Sequence, residues 1–489
     1  MNFDTKALDA ALAERIEKKK LPGVSVCISG PEGVVFERGY GYGDGDRQRP
    51  IDADTVFGIA SMSKSMTTLA CAILAAEGKL SFDDPVYKYF PAFEVPGNPR
   101  DSVTLRHLAM HTAGIPPMEP LEWSIAQNTA GRDSEWAREM RRTAVNKMDS
   151  IHQIIAYIAE GRYPTLGAAG EHMSYSNEGY AILSYVVDIA SGSTLEEFLK
   201  ERVFGPIGMT RSVLDYDCSG ARKLSGGNIT RLFEKNDEGE LTVDDNWSIL
   251  PPFRGCACVK STAHDMARYY QCLSNGGRID GRQAIPEQAV ELLIGAEFPE
   301  QEKAFYCFGL NKRVKHGHVI CEHSGGLHGV SSFGGLLKGE NYGFAVLCNM
   351  GDENVDDLCW LMYNLVMGRP LAEDHYWLHP TGTDFAQPEM LVGTYRCHEG
   401  IPVNLKVCLK EGKLAAADGN GEMTMKFCGE TWFQTFRKGP EPTGRMQFLV
   451  RDGKAWGVRV YTRIYQRVDT ESVIEGQSGR AAAGCPDNK

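Results

Sequence analysis

The chain has 489 residues, more than one hydrophobic core normally serves, so two or three structural units are expected. Hydrophobic residues make up 42% and charged residues 24%, and a formal net charge of -12 with no basic stripe excludes a nucleic-acid-binding protein. No apolar run is long enough to span a bilayer, and the 14 cysteines follow no disulfide framework. With a charged amphipathic N-terminus in place of a secretory signal, these features lead us to expect a cytoplasmic protein with reduced thiols.

Residues 1–20 read as a helix, broken at Leu21-Pro22-Gly23 and followed by a strand pair, Val24 to Ser29 and Val34 to Glu37, turned at Gly30 to Gly33. Gly39 to Asp46 is glycine-rich, but it precedes no helix and reads as a turn region rather than a phosphate loop. In Ser61 to Gly78, Met62, Met66, Leu69, Ile73 and Leu74 recur at helical spacing, and Lys64 is the only long polar side chain before Glu77. Ser61 and Lys64, three apart, fall on one face at the positive end of that helix, a nucleophile with a base beside it. Taken alone, the spacing favours a serine that caps the helix and a lysine that snorkels to solvent, because S-x-x-K occurs often by chance.

From Leu80 to about Leu250 the pattern is helical: Leu105 to Met110, Ser134 to Val145, Ile151 to Ala159, Gly179 to Ala190 and Leu195 to Phe204. The polar stretch between Pro116 and Ser150 reads as a surface insertion. Strands return at Phe305 to Val314, His318 to His323, Ser331 to Leu337 and Tyr342 to Cys348, before a helix at Val355 to Met367. A helix and two strands at one end, with strands and a helix at the other, predict one antiparallel sheet built from both ends. Seven β-prone segments between Leu391 and Tyr465 predict a small antiparallel barrel or sandwich, the last of them running unbroken from Trp456 to Tyr465. The expected division is 1–370 for a catalytic unit (sheet from 1–80 and 250–370, helices from 81–249), a linker at 371–388, a barrel at 389–468 and a disordered tail at 469–489 with Cys485 exposed.

A serine nucleophile needs a base, a proton relay and donors for an oxyanion. Lys64 supplies a candidate for the first, and Tyr175, beside Asn177 in a polar loop, for the second. His323-Ser324-Gly325-Gly326 ends a strand where glycine lets a carbonyl approach the backbone, so Ser61 N–H and Gly326 N–H are the candidate donors.

Ser61-x-x-Lys64, Tyr175-x-Asn177 and His323-Ser324-Gly325 stand in the order and approximate spacing of the three motifs of class C β-lactamases, penicillin-binding proteins and related serine esterases and D-aminopeptidases. Phe57 to Ala60, Leu105 to Leu108 with His111 to Gly114, Phe204 to Met209 and Ser261 to Met266 also resemble that family, and the resemblance covers roughly residues 1–370. It implies a β-lactamase-like α/β (α+β) fold, an antiparallel sheet flanked by helices with an inserted helical subdomain, followed here by an all-β barrel. It implies Ser61 as the acylated nucleophile, Lys64 and Tyr175 as base and relay, Asn177, His323, Ser324, Gly325 and Gly326 as substrate contacts, and no cofactor or metal.

The third motif begins with His323 where β-lactamases usually carry lysine, which weakens β-lactams and free carboxylates as substrates. The His-x-Gly form resembles the D-aminopeptidase branch, whose members also carry C-terminal barrels. The expected reaction is hydrolysis of an amide or ester of a small amino-acyl or peptide substrate. Acyl transfer to an amine or alcohol and a weakly catalytic penicillin-binding sensor are the alternatives. Expected partners are a small molecule or short peptide and, in an assembly, further copies of the chain, with neither nucleic acid nor membrane. Removing the barrel is expected to alter substrate choice more than Ser61 reactivity. Cys256, Cys258 and His264 have the residue types of a metal site without its spacing, and His328 stands near the third motif as a loop histidine.

Overall fold

A computed structural model describes residues 3–129, 134–235, 240–244, 246–301 and 303–468. The tail expected to be disordered, with Cys485, lies outside the described residues. The central layer is an eight-stranded antiparallel sheet made of β1 (Gly23–Gly30), β2 (Gly33–Gly41), β3 (Phe298–Gln301), β4 (Ala304–Tyr306), β5 (Asn311–Lys315), β6 (His318–Leu327), β7 (Val330–Leu337) and β8 (Tyr342–Cys348). Their order is β3-β4-β5-β6-β7-β8-β1-β2, with Val24 of β1 opposite Cys348 of β8, so the sheet is built from both ends as the pattern predicts.

The helices that matter for the site are α1 (Thr5–Lys19), α2 (Ser63–Ala76), α3 (Pro120–Asn128), α4 (Glu135–Thr143), α5 (Asn177–Ser191), α6 (Ala263–Ser274) and α7 (Asp356–Val366). Every residue of β1 is buried because helices cover both faces. Val24, Val26 and Ile28 pack with Leu8 and Leu12 of α1 and Leu358 and Leu361 of α7. On the other face, Cys27 joins the large core that includes α2 and α6. The 116–150 insertion is anchored as well as exposed: Trp123 and Ile125 of α3 and Met140 of α4 are buried in that core.

Two expected strands are each two strands in the structure. The segment Phe305 to Val314 divides into β4 and β5 at a turn in which Cys307 N–H donates to Leu310 O and Gly309 takes a φ of +75°. A Cβ on Gly309 would stand 2.8 Å from Ser65 N, so only glycine lets this turn lie against the first turn of α2. The segment Trp456 to Tyr465 likewise folds back at Tyr461–Thr462, with Tyr461 at φ +52°. The C-terminal unit is therefore a closed barrel of eight strands, β9 (Gly393–Cys397), β10 (Val403–Lys410), β11 (Lys413–Asp418), β12 (Gly421–Phe427), β13 (Trp432–Phe436), β14 (Gly444–Arg451), β15 (Lys454–Val460) and β16 (Arg463–Val468). It closes where Thr394 pairs opposite Val468, around a core of Tyr395, Leu405, Val407, Phe433, Phe448 and Val458.

The barrel packs directly on the helical part. His398 stacks on Tyr163 at 3.9 Å between ring centroids, and Gln466 Nε2 donates to Pro164 O at 3.0 Å.

Candidate active site

Ser61 does not start the long helix, as its spacing suggests, but lies in a 3-10 turn, Ala60–Met62, immediately before α2. Ala60 holds a φ of +44°, an uncommon conformation for a residue with a side chain, and the turn leaves Ser61 half-buried while Ser63 to Leu74 are wholly buried. Lys64, in the first turn of α2, is 0% exposed. Its Nζ donates to Ser61 Oγ at 3.2 Å, Asn177 Oδ1 at 2.9 Å and Cys256 O at 3.1 Å, which matches the three N–H groups of an ammonium. The lysine therefore does not snorkel to solvent.

Ser176 caps α5 by accepting from Gly179 N–H, and this cap projects Tyr175 and Asn177 toward Lys64. Tyr175 meets Lys64 through its ring, with Nζ 4.8 Å from the ring centroid. Among the described residues no hydrogen bond joins the Tyr175 hydroxyl to Ser61 or Lys64. The ring also lies 4.2 Å from the His111 ring and 4.4 Å from the guanidinium of Arg463 in the barrel.

The third motif runs along β6. A Cβ on Gly325 would stand 2.3 Å from both Ile59 O and Ser332 Oγ and 3.1 Å from Ser61 N, so the missing side chain is what lets β6 lie beside the Ser61 turn. Ser332 Oγ donates to Ile59 O at 2.8 Å and pins the same contact from β7. Gly326 follows in open space, exposed, as does Ser324.

His323 is buried, and burial followed by the Lys64 charge holds its imidazolium down to about 4, so the ring is neutral at pH 7. Its Nδ1 faces Ser324 O and must carry the proton, leaving Nε2 to accept from Tyr306 Oη at 3.4 Å. His111 accepts from Ser176 N–H at Nδ1 (3.0 Å) and so donates from Nε2 to Tyr306 Oη, also at 3.0 Å. Burial and then the Lys64 charge also hold His111 neutral, well below the usual imidazole range. A directional, uncharged chain of hydrogen bonds thus joins the second motif to the third.

Two barrel side chains complete the surroundings. Glu399 accepts from Asn177 Nδ2 at 3.2 Å and is gripped by Arg463 through Nε to Oε2 at 2.5 Å and Nη2 to Oε1 at 2.8 Å. The turn at 461–462 docks on the second motif, Tyr175 N–H donating to Thr462 O at 2.8 Å and Ile464 N–H to Ser174 Oγ at 3.1 Å. His111, Tyr306, Glu399 and Arg463 were all missed by sequence reasoning. Only His111 carried a signal, as part of His111 to Gly114.

Glu178, next to Asn177 in α5, is pushed up to about 7 chiefly by burial. Between the ordinary value of 4.5 and about 7 the unfolded chain gives up this proton while the folded one keeps it, so stability falls as pH rises through that window. Glu178→Gln is expected to remove about 2–3 kcal/mol of that decline, measured as the difference in unfolding free energy between about pH 5 and about pH 8. An unchanged decline in the variant would contradict the assignment.

Among the described residues, one group of three side chains offers metal-ligand atoms within reach of one another, Cys27, Glu37 and His264. It lies on the β1–β2 pair and α6 rather than at Ser61, and Glu37 Oε1 already meets His264 Nδ1 at 2.8 Å. Cys256 and Cys258 are buried free thiols. His328 sits between Glu234 and Asp244, at 2.5 and 2.7 Å.

A half-buried serine within hydrogen-bond reach of a buried lysine, with a glycine of β6 against the serine turn, is thus the geometry at Ser61. Residues 8–362 match the family model described as Beta-lactamase, and the chain belongs to that family, whose members are generally serine hydrolases. Penicillin-binding protein 4* of Bacillus subtilis (strain 168) is 27% identical over 323 residues, 65% of this chain and 65% of its own length. The alignment thus spans about two thirds of that curated relative. Among solved structures, the octameric penicillin-binding protein homologue from Pyrococcus abyssi has a TM-score of 0.65 at 20% identity, over 95% of this chain and 99% of its own. A D-stereospecific amidohydrolase from Streptomyces sp. has a TM-score of 0.57 at 18% identity, over 74% of this chain and 99% of its own. At these identities the structural likenesses establish the fold alone. No helix among the described residues is long and apolar enough to cross a membrane.

Proposed function

We propose that this chain hydrolyses an amide or ester bond of a small amino-acyl or peptide substrate through an acyl-enzyme on Ser61. The observation that carries the reading is Lys64 Nζ, fully buried and 3.2 Å from Ser61 Oγ. Once the Lys64–Tyr175 couple has given up one proton to solvent, Ser61 Oγ attacks the carbonyl carbon while its own proton passes to the couple, and the charge on the carbonyl oxygen is taken by Ser61 N–H and Gly326 N–H. The couple returns the proton to the leaving nitrogen or oxygen as the carbon–heteroatom bond breaks. Water then adds to the acyl carbon and frees Ser61. Asn177 Nδ2 contacts the substrate amide; His323, Ser324 and Gly325 form the strand along which it lies.

Neutral His323 offers no fixed charge to a carboxylate, which disfavours β-lactams. D-configured substrates belong in the test because a D-stereospecific amidohydrolase shares the fold. We assign 1–370 as the catalytic unit, 371–388 as the linker and 389–468 as the barrel. Among the described residues twelve cysteines are free thiols, which suits a reducing compartment such as the cytoplasm, while Cys408 is disulfide-bonded. Assembly into homo-oligomers, as in the Pyrococcus abyssi homologue, is testable by native mass measurement.

The function is tested with D- and L-amino-acid anilides, a simple acyl ester and a chromogenic cephalosporin, wild type beside Ser61→Ala. Turnover of an anilide or ester that vanishes in Ser61→Ala is the expected result. Fast cephalosporin cleavage with anilides and esters untouched would overturn the substrate assignment.

A further inference from the structure

The third motif of this chain is electrically neutral, yet a cation from the barrel lies against the second motif. Arg463 is supplied by the first residue of β16, just after the turn at 461–462, and its guanidinium covers the Tyr175 ring at 4.4 Å. The side chains form a closed circuit. Lys64 Nζ binds Ser61 Oγ and Asn177 Oδ1, Asn177 Nδ2 binds Glu399, Glu399 grips Arg463, Arg463 covers Tyr175, and the Tyr175 ring returns to Lys64 Nζ. Two of its members come from the barrel.

We propose that Arg463 and Glu399 of the barrel are positioning residues for catalysis at Ser61: Arg463 supplies the fixed positive charge that His323 does not, and Glu399 sets its strength and place. This rests on the reading of Lys64 and Tyr175 as the proton-accepting couple. It also revises the expectation that the barrel affects substrate choice more than Ser61 reactivity, because the barrel turn holds Tyr175 by its backbone as well as its ring.

The sign of the effect follows from the groups around Tyr175. Lys64 faces it from α2, His111 from the turn after Leu105–Ala109, His323 from β6, Tyr306 from β4 and Tyr180 from α5, with Arg463 and Glu399 from the barrel. The two histidines are neutral at pH 7, so the charges that act are Lys64, Arg463 and Glu399. Glu178 faces Arg463 and Glu399 and responds to them in the same direction as the couple. A nearby positive charge eases loss of a proton from the couple, whichever member carries it, and a negative charge opposes it.

The test is the pH dependence of kcat/KM for p-nitrophenyl acetate hydrolysis by the full chain. Arg463→Met is expected to move the acid limb up by about one pH unit and Glu399→Gln to move it down by a similar amount. Arg463→Lys, which keeps the charge and loses the paired grip, is expected to hold the limb in place while kcat falls. Opposite displacements cannot come from loosened packing, which would lower kcat with the limb unmoved. A limb that stays in place in both charge variants, or moves the same way in both, would overturn the proposal. Glu399→Gln changes size least and decides the matter alone if Arg463→Met does not fold: a downward shift supports the proposal, an unmoved limb refutes it. Full activity in Ser61→Ala would instead refute the serine reading, so the two failures are distinct.

Discussion

Lys64→Met is expected to lower Ser61-dependent turnover by about 10³-fold or more, with the chain still folded. Methionine fills nearly the same volume in the apolar core around α2 and relieves the burial of a charge, which offsets part of the destabilisation. What it cannot do is accept the serine proton. It also leaves Asn177 Oδ1 and Cys256 O without their donor, at a stability loss of about 1–3 kcal/mol for each buried acceptor. Lys64→Arg separates charge from proton transfer, because a guanidinium stays protonated and cannot act as a base. Burst and steady-state release of p-nitrophenolate, with a melting curve for each variant, make the measurement. Near wild-type turnover by Lys64→Arg would show that only a positive charge is required.

Gly325→Ala carries the second large effect, through geometry alone. The added carbon would sit 2.3 Å from Ile59 O and from Ser332 Oγ. The first is backbone of the turn that presents Ser61, and the second is tied to it by a 2.8 Å hydrogen bond, so β6 must move away. Such a shift would displace Gly326 N–H from Ser61 N–H and so weaken the oxyanion site proposed for that pair. The expected loss is about 10²- to 10³-fold in kcat, with about 1–3 kcal/mol of stability. Gly326→Ala is the control: nothing lies within 4 Å of its would-be Cβ, so a change of no more than a few-fold is expected. Equal effects of the two substitutions on kcat would contradict the steric argument.

Much of the site is legible in local pattern. A helical apolar period with one lysine three residues beyond a serine places Ser61 and Lys64 together. The apolar period from Gly179 locates α5, which in the structure begins two residues earlier, at Asn177, capped by Ser176. The β-prone runs at both ends of the catalytic part are enough for a sheet built from both ends, though not for β3 or for the break between β4 and β5. Less legible is the start of α2, because a 3-10 turn and the positive φ of Ala60 carry no composition signal.

The barrel's role shows the limit most clearly. Val458, Val460, Thr462 and Ile464 continue a strand-like alternation through the turn at 461–462, and no glycine or asparagine marks the reversal. The turn that docks on Tyr175 therefore reads as unbroken strand. Ser174 and Ile464, which it joins, lie 290 positions apart, and Asn177 and Glu399 lie 222 apart. The sequence by itself determined that Ser61 and Lys64 lie side by side, and the class of fold, because each rests on spacing within a helix or strand. Tertiary structure alone decided that His111, Tyr306, Glu399 and Arg463 surround Tyr175, because a contact between distant segments depends on how whole layers pack, and no local periodicity records it.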